Sequence, residues 1–173
     1  VLHIRTLTGL LLHQLVQKTD RYQLDESDIS LISTASALHD IGKIMIQEEI
    51  LNKPGRLTEE EYAAIKTHTT EGARILKGLA IGQDEPLVKV AHAICRWHHE
   101  RWDGGGYPDR LKGDEIPIAA QVVALADVYD ALTSERCYKQ SYSHEKAVDM
   151  ILHGECGSFN PLLMECLKES SEL

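Results

Sequence analysis

Histidine and aspartate occur in this chain as doublets. His39-Asp40 closes an apolar run and is followed by the cation Lys43, and some way on His98-His99 leads into Glu100-Arg101-Trp102-Asp103-Gly104-Gly105-Gly106-Tyr107-Pro108. Imidazole with carboxylate, and no C-x-x-C pair to add thiolates, is a donor mix that suits iron, manganese, zinc or nickel better than magnesium or calcium. His3, His68 and Asp127 supply three further donors on the expected inner faces of other helices. A lone histidine on an apolar stripe is usually a hydrogen-bonded core residue. Five such coincidences are another matter, because burying several imidazoles and two carboxylates without a cation costs on the order of several kcal/mol per charge. The expectation is a metal centre, iron or manganese first, built from facing helices, with Asp40 placed to offer one oxygen to each of two ions.

The elements that must position these groups read as helices. A first segment runs to about Thr19, with His3, Leu7, Leu10, Leu11 and Leu15 on one face, and a second from about Asp25 carries Leu31, Ile32, Ala35, Leu38 and His39. Thr58-Glu59-Glu60-Glu61 reads as a capping box opening a helix with Ile65, His68, Gly72, Ile75, Leu76 and Leu79 inward. Pro86 suits the first turn of a helix that arrives at His98. Pro117 opens another, with Ala120, Val123, Asp127 and Asp130 on one side, and two shorter helices follow Ser143 and Phe159-Asn160-Pro161. With strand patterns scarce, the fold class is all-α.

The 173 residues, 43% hydrophobic and without a linker-like stretch, suffice for one domain with its own core. A chain that opens on Val1 inside a helical pattern reads as a segment of something longer. No apolar run reaches the length of a membrane span, and Cys95, Cys137, Cys156 and Cys166 show no disulfide-like spacing, so the expected compartment is the cytoplasm. A net charge of −9 argues against stable binding to nucleic-acid backbones. Some residues keep two readings. Glu100 either holds a histidine tautomer or is surface, and Asp130 either orients a ligand histidine or is solvated. Tyr107 and Trp102 either pack on a base or shape its entrance. His13, His92, His144 and His153 are taken as structural or exposed.

The chain strongly resembles the HD-GYP domains, a branch of the HD metal-dependent phosphohydrolases that hydrolyse cyclic di-GMP. The resemblance rests on His39-Asp40, on Gly106-Tyr107-Pro108, and on Ala126-Asp127-Val128-Tyr129-Asp130-Ala131-Leu132-Thr133-Ser134 with Arg136-x-Tyr138-Lys139, and it spans His3 to Phe159-Asn160-Pro161. It implies an HD-domain helical bundle over residues 1–173 with the metal centre in its core, and two divalent ions, three in some members. By the same resemblance His3, His39, Asp40, His68, His98, His99 and Asp127 are metal ligands, and Asp40 and Lys43 are catalytic. Lys43, Gly106, Tyr107, Pro108, Arg136 and Lys139 would contact substrate. His68-Thr69, Gln47 and Cys137 depart from the family, which commonly has proline at those three places. The implied activity is hydrolysis of cyclic di-GMP to linear pGpG or GMP. The rival readings are another cyclic dinucleotide such as cyclic GMP-AMP, and a non-catalytic module that binds the messenger. A homodimer, a regulatory domain in the parent protein and diguanylate cyclase-type signalling partners all fit the resemblance.

Overall fold

A computed structural model of the chain describes residues 2–80, 82–135 and 139–170. Among them the helices run α1 Leu2–Lys18, α2 Glu26–Ala35, α3 Glu48–Leu51, α4 Glu59–Lys66, α5 His68–Lys77, α6 Pro86–Trp97, α7 Ile118–Thr133, α8 His144–Leu152 and α9 Pro161–Glu169, with 3₁₀ turns at Ser36–Leu38, Ile41–Met45 and Gly113–Glu115. The all-α class holds. None of the helices is long and apolar enough to cross a membrane.

Helix α7 is the axis of the bundle. Ala119 to Ala126 are all buried, with Tyr129 and Leu132 beyond them, as expected of a helix apolar on nearly every side. Helices α1, α6 and α8 pack around it, and α2 and α5 close over α6. Helix α1 contributes Ile4, Leu7, Leu11, Leu12 and Leu15, each at most 3% exposed, and each such side chain contributes about 1.5–3 kcal/mol by leaving water. Side chains fix several helix starts. Asp25 and Asp28 exchange capping-box hydrogen bonds of 2.8 and 2.9 Å at α2, and Thr58 and Glu61 do the same at 3.1 and 2.8 Å at α4.

The single helix expected from Thr58 to Leu79 is instead two, broken at Thr67. Thr67 Oγ1 donates to the Ala64 carbonyl at 2.6 Å and Thr69 Oγ1 to the Lys66 carbonyl at 3.0 Å. Hydroxyls that bond back to nearby carbonyls compete with the helical ladder. The break puts His68 at the first position of α5, beside the carbonyls that end α4.

A buried polar tie locks the Phe159-Asn160-Pro161 turn. Asn160, 3% exposed, donates from Nδ2 to Gln121 Oε1 at 2.9 Å and to Tyr22 Oη at 2.8 Å, while its Oδ1 accepts from Leu162 N at 3.0 Å. Asn160→Ala removes a helix cap and strands buried partners, at about 2–3 kcal/mol. The expected outcome is a Tm lower by roughly 5–10 °C in a calorimetric or circular-dichroism melt. An unchanged Tm would remove the tie from the account of stability.

Candidate metal centre

The site is assembled from helix ends. His39 follows the Ser36–Leu38 turn, Asp40 opens the Ile41–Met45 turn, His68 begins α5, and His98 and His99 lie just past α6. Five ligand-bearing helices were expected, but only His3, His68 and Asp127 sit within helices. The reason lies in the backbone. At each of three such ends a carbonyl of the last turn accepts a proton from an imidazole, and at Ser36 and Ile94 the same carbonyl also accepts the backbone N–H of that histidine, at 3.3 and 3.0 Å. His39 Nδ1 donates to Ser36 O at 2.8 Å, His68 Nδ1 to Ile65 O at 2.7 Å, and His98 Nδ1 to Ile94 O at 2.9 Å and Cys95 O at 3.1 Å. A carbonyl cannot donate, so Nδ1 carries the proton and Nε2 is turned inward.

The Nε2 atoms meet around Asp40. His68 Nε2 lies 3.3 Å and His98 Nε2 3.6 Å from Asp40 Oδ1, while His39 Nε2 lies 3.3 Å from Asp40 Oδ2 and 3.4 Å from Asp127 Oδ1. His68 Nε2 and His98 Nε2 are 3.4 Å apart, and His68, His98 and His99 each offer a nitrogen within 4.8 Å of the others. Asp40 Oδ1 is buried and has no hydrogen-bond partner. In the neutral tautomers of His68 and His98, nitrogen lone pairs therefore face a carboxylate oxygen and one another with no proton between them. Such an arrangement needs a cation, and donor separations of 3.3–3.6 Å are close to the edge of a coordination polyhedron with bonds near 2.1 Å, about 3.0–3.4 Å. The residues present fit a bound metal ion.

Electrostatics agree with that fit. Burial opposes charge on Asp40, yet the neighbouring His39 holds its carboxyl well below the usual range. His98 is pushed down by burial, and His99 to about 2 by burial and then by His98 and His68, so both imidazoles are neutral and available as donors. Burial also opposes charge on His39, but the neighbouring Asp127 and Asp40 outweigh it and raise its imidazole to about 10.

Two further residues of the expected site are held by carboxylates. His3, the most exposed of the seven donors at 56%, is held by a 2.5 Å contact from Nδ1 to Asp130 Oδ1. Asp130 thus orients His3, and Ser134 Oγ donates to the same oxygen at 3.0 Å. Lys43 Nζ donates to Asp40 Oδ2 at 2.9 Å. A cavity of about 410 Å³ adjoins the cluster, lined by Lys43, Tyr62, Ile65, His68, His99, Arg101 and the Gly105-Gly106-Tyr107 loop.

That loop is hung from a carboxylate. Glu100 is neither a tautomer holder nor surface: it is 2% exposed, and its two oxygens accept from Asp109 N at 2.7 Å and Leu111 N at 2.9 Å. Gly106 lets the loop return against its own start, since a Cβ there would sit 2.3 Å from His99 O. Tyr107 stacks on His99 with ring centroids 4.9 Å apart, and the Lys66 ammonium lies 5.6 Å from its ring centre. Its face is therefore spent on buttressing a candidate ligand. Trp102 lies away from the cavity, beside Phe159 and Asn160. Lys139 is exposed against Tyr142, with Nζ 4.9 Å from the ring centre, and does not line the cavity; Arg136 lies outside the described residues. Sequence reasoning missed Tyr62 and Arg101 as cavity residues, although Arg101 follows the His98-His99-Glu100 run directly.

A family model described as HD domain matches residues 9–159. The chain belongs to the HD domain family. Within it, the His-Asp doublet and the Gly106-Tyr107-Pro108 loop place the chain in the HD-GYP branch. A Vibrio cholerae protein named probable cyclic di-GMP phosphodiesterase is 43% identical over 158 residues, covering 89% of this chain and 36% of that protein. A second Vibrio cholerae protein, named 3'3'-cGAMP-specific phosphodiesterase 2, is 42% identical, covering 86% of this chain and 28% of its own length. A solved structure described as an HDG"Y"P protein from Bdellovibrio bacteriovorus superposes with a TM-score of 0.67 at 21% identity, over 98% of this chain and 52% of that one. The chain spans about a third of the length of these curated relatives.

In this HD domain the glycine of the His-Asp segment has a steric task. A Cβ on Gly42 would lie 1.9 Å from His68 O and 2.5 Å from Gly72 N, both backbone atoms of α5. Gly42→Ala should lower Tm and reduce the metal bound per chain, measured by elemental analysis after reconstitution; full stoichiometry with an unchanged Tm would show that the contact yields freely. The proton on His39 gives a second expectation. A cation must displace it below about pH 10, so affinity falls as pH falls, by up to about tenfold per unit for one proton. Competition with a chromogenic chelator across neutral pH measures this, and a flat profile would mean that His39 carries no proton to displace.

Proposed function

We propose that this HD domain is a metal-dependent phosphodiesterase that opens the ring of a cyclic dinucleotide, with cyclic di-GMP as the first candidate and pGpG or GMP as products. The observation that carries the reading is the inward convergence of histidine Nε2 atoms on the orphaned Asp40 oxygen, beside a 410 Å³ cavity that His68 and His99 line. The residues that would hold the ions are His39, Asp40, His68, His98, His99 and Asp127, with His3 oriented by Asp130. Two ions, iron or manganese, suit this imidazole-rich donor set. Bound there, they would supply Lewis-acid activation of water and of the phosphodiester. The chain supplies the rest. Asp40, with one oxygen toward His68 and His98 and the other toward His39 and Lys43, is placed to serve two positions at once. Lys43, tied to Asp40 and lining the cavity, would donate to a non-bridging phosphate oxygen. Lys139 and Arg136 remain proposed substrate contacts through their place in the motif. A messenger of this class is made and used in the cytoplasm, which is the proposed location.

A second reading, hydrolysis of cyclic GMP-AMP, is favoured by one observation: the relative named for that substrate is as similar as the one named for cyclic di-GMP, 42% against 43% identical. Product identification by mass spectrometry on both substrates, with metal reconstituted anaerobically, separates the two. Release of pGpG or GMP from cyclic di-GMP supports the first reading, and cleavage of neither cyclic dinucleotide overturns both. Asp40→Ala should abolish turnover, a loss of at least about 10³-fold, and lower metal content. Lys43→Ala should cost about 10–100-fold in kcat with metal content retained. Wild-type rates in Asp40→Ala would refute the assignment.

A further inference from the structure

Arg101 stands apart from the other charges around the cavity. Lys43 is paired with Asp40 at 2.9 Å, and Arg96 on the outside of the same segment is held in two hydrogen bonds by Asp109. Arg101 has no carboxylate within ion-pair distance among the described residues. Its Nη1 donates to two backbone carbonyls, Glu100 O at 3.0 Å and His98 O at 3.4 Å, and its guanidinium carbon lies 5.1 Å from the centre of the Phe159 ring. Nε and Nη2 have no acceptor among the described residues. The 157–159 segment is shaped to admit this side chain, since a Cβ on Gly157 would meet Arg101 Nε at 2.9 Å and Cδ at 3.0 Å. A partly buried guanidinium without a counter-ion is costly, and its free donors suit a two-pronged grip on a phosphate.

We infer that Arg101 is a specificity-determining contact that binds the phosphodiester of the cyclic dinucleotide that is not being cleaved. The assignment rests on the proposed function and deepens it. The scissile phosphodiester has the metal site and Lys43 to neutralise it. A cyclic dinucleotide carries a second, equally anionic phosphodiester across the ring, and among the described residues Arg101 is the cavity-lining cation with no carboxylate committed to it. A substrate with a single phosphodiester has no use for that contact.

The test compares cyclic di-GMP with bis(p-nitrophenyl) phosphate, which has one phosphodiester, in reconstituted wild-type protein and in Arg101→Met, whose apolar stem keeps the packing on Phe159. The expected result is a 10–100-fold rise in KM for cyclic di-GMP, with kcat/KM for bis(p-nitrophenyl) phosphate within about twofold and metal content unchanged. Arg101→Lys should recover part of the KM, because one charge remains but the fork is lost. Equal losses on both substrates would make Arg101 a structural or scissile-phosphate residue and overturn the inference, as would an unchanged KM for cyclic di-GMP. Should Arg101→Met fail to fold, Arg101→Lys decides alone by the same comparison of substrates. Wild-type protein that cleaves bis(p-nitrophenyl) phosphate but no cyclic dinucleotide would instead defeat the proposed function, and the role of Arg101 with it.

Discussion

Everything at the centre of this bundle depends on one kind of hydrogen bond, an imidazole Nδ1–H given to a carbonyl in the last turn of the helix or turn that precedes it. Three histidines make it, at Ser36, Ile65 and Ile94. The bond uses the second lone pair of a carbonyl, at Ser36 and Ile94 one that already accepts a backbone N–H, and fixes the ring's orientation and tautomer. Helix boundaries and metal-site geometry are therefore one problem. The break at Thr67 sets where α5 starts, and so where His68 stands relative to the Ile65 carbonyl it bonds.

The helix break, the Gly42 contact and the Gly72 position then follow as conditions for bringing these ends together. Gly72 faces Cys95 at 3.2 Å from a would-be Cβ, and Gly42 sits against the α5 backbone. The segment carrying Asp40, the start of α5 and the end of α6 approach more closely than side chains would permit. Cys95, buried at the crossing, donates from Sγ to the Leu38 carbonyl at 3.1 Å, so its thiol serves packing and burial lifts it to about 12.

The helical class, most boundaries, the capping box at Thr58 and the donor residues themselves were legible because periodicity, caps and doublets are local signals. What escaped has a common cause. The Thr67 break depends on hydroxyls choosing carbonyls three residues back, a choice that a helical pattern masks. Glu100 looked like a tautomer holder or a surface charge because its true partners, the amides of Asp109 and Leu111, come into reach only when the glycine loop doubles back. Arg101 was passed over since its significance is the absence of a counter-ion, which no spacing records. Tyr107 was read as packing on a base or shaping its entrance; its ring is laid on His99 and lines the cavity, a stacking that no spacing announces.

The Glu100-suspended loop has an evolutionary corollary. Tyr107 is stacked on His99, and the loop amides are bound to the residue immediately after His99, so a substitution that re-aims the loop also tilts a candidate metal donor. Lineages that change base preference are pressed to do so elsewhere, at half-exposed positions such as Tyr62 or in the segment around Lys139. The signature loop can then persist unchanged in proteins that answer to different messengers, and it is a poor guide to telling them apart.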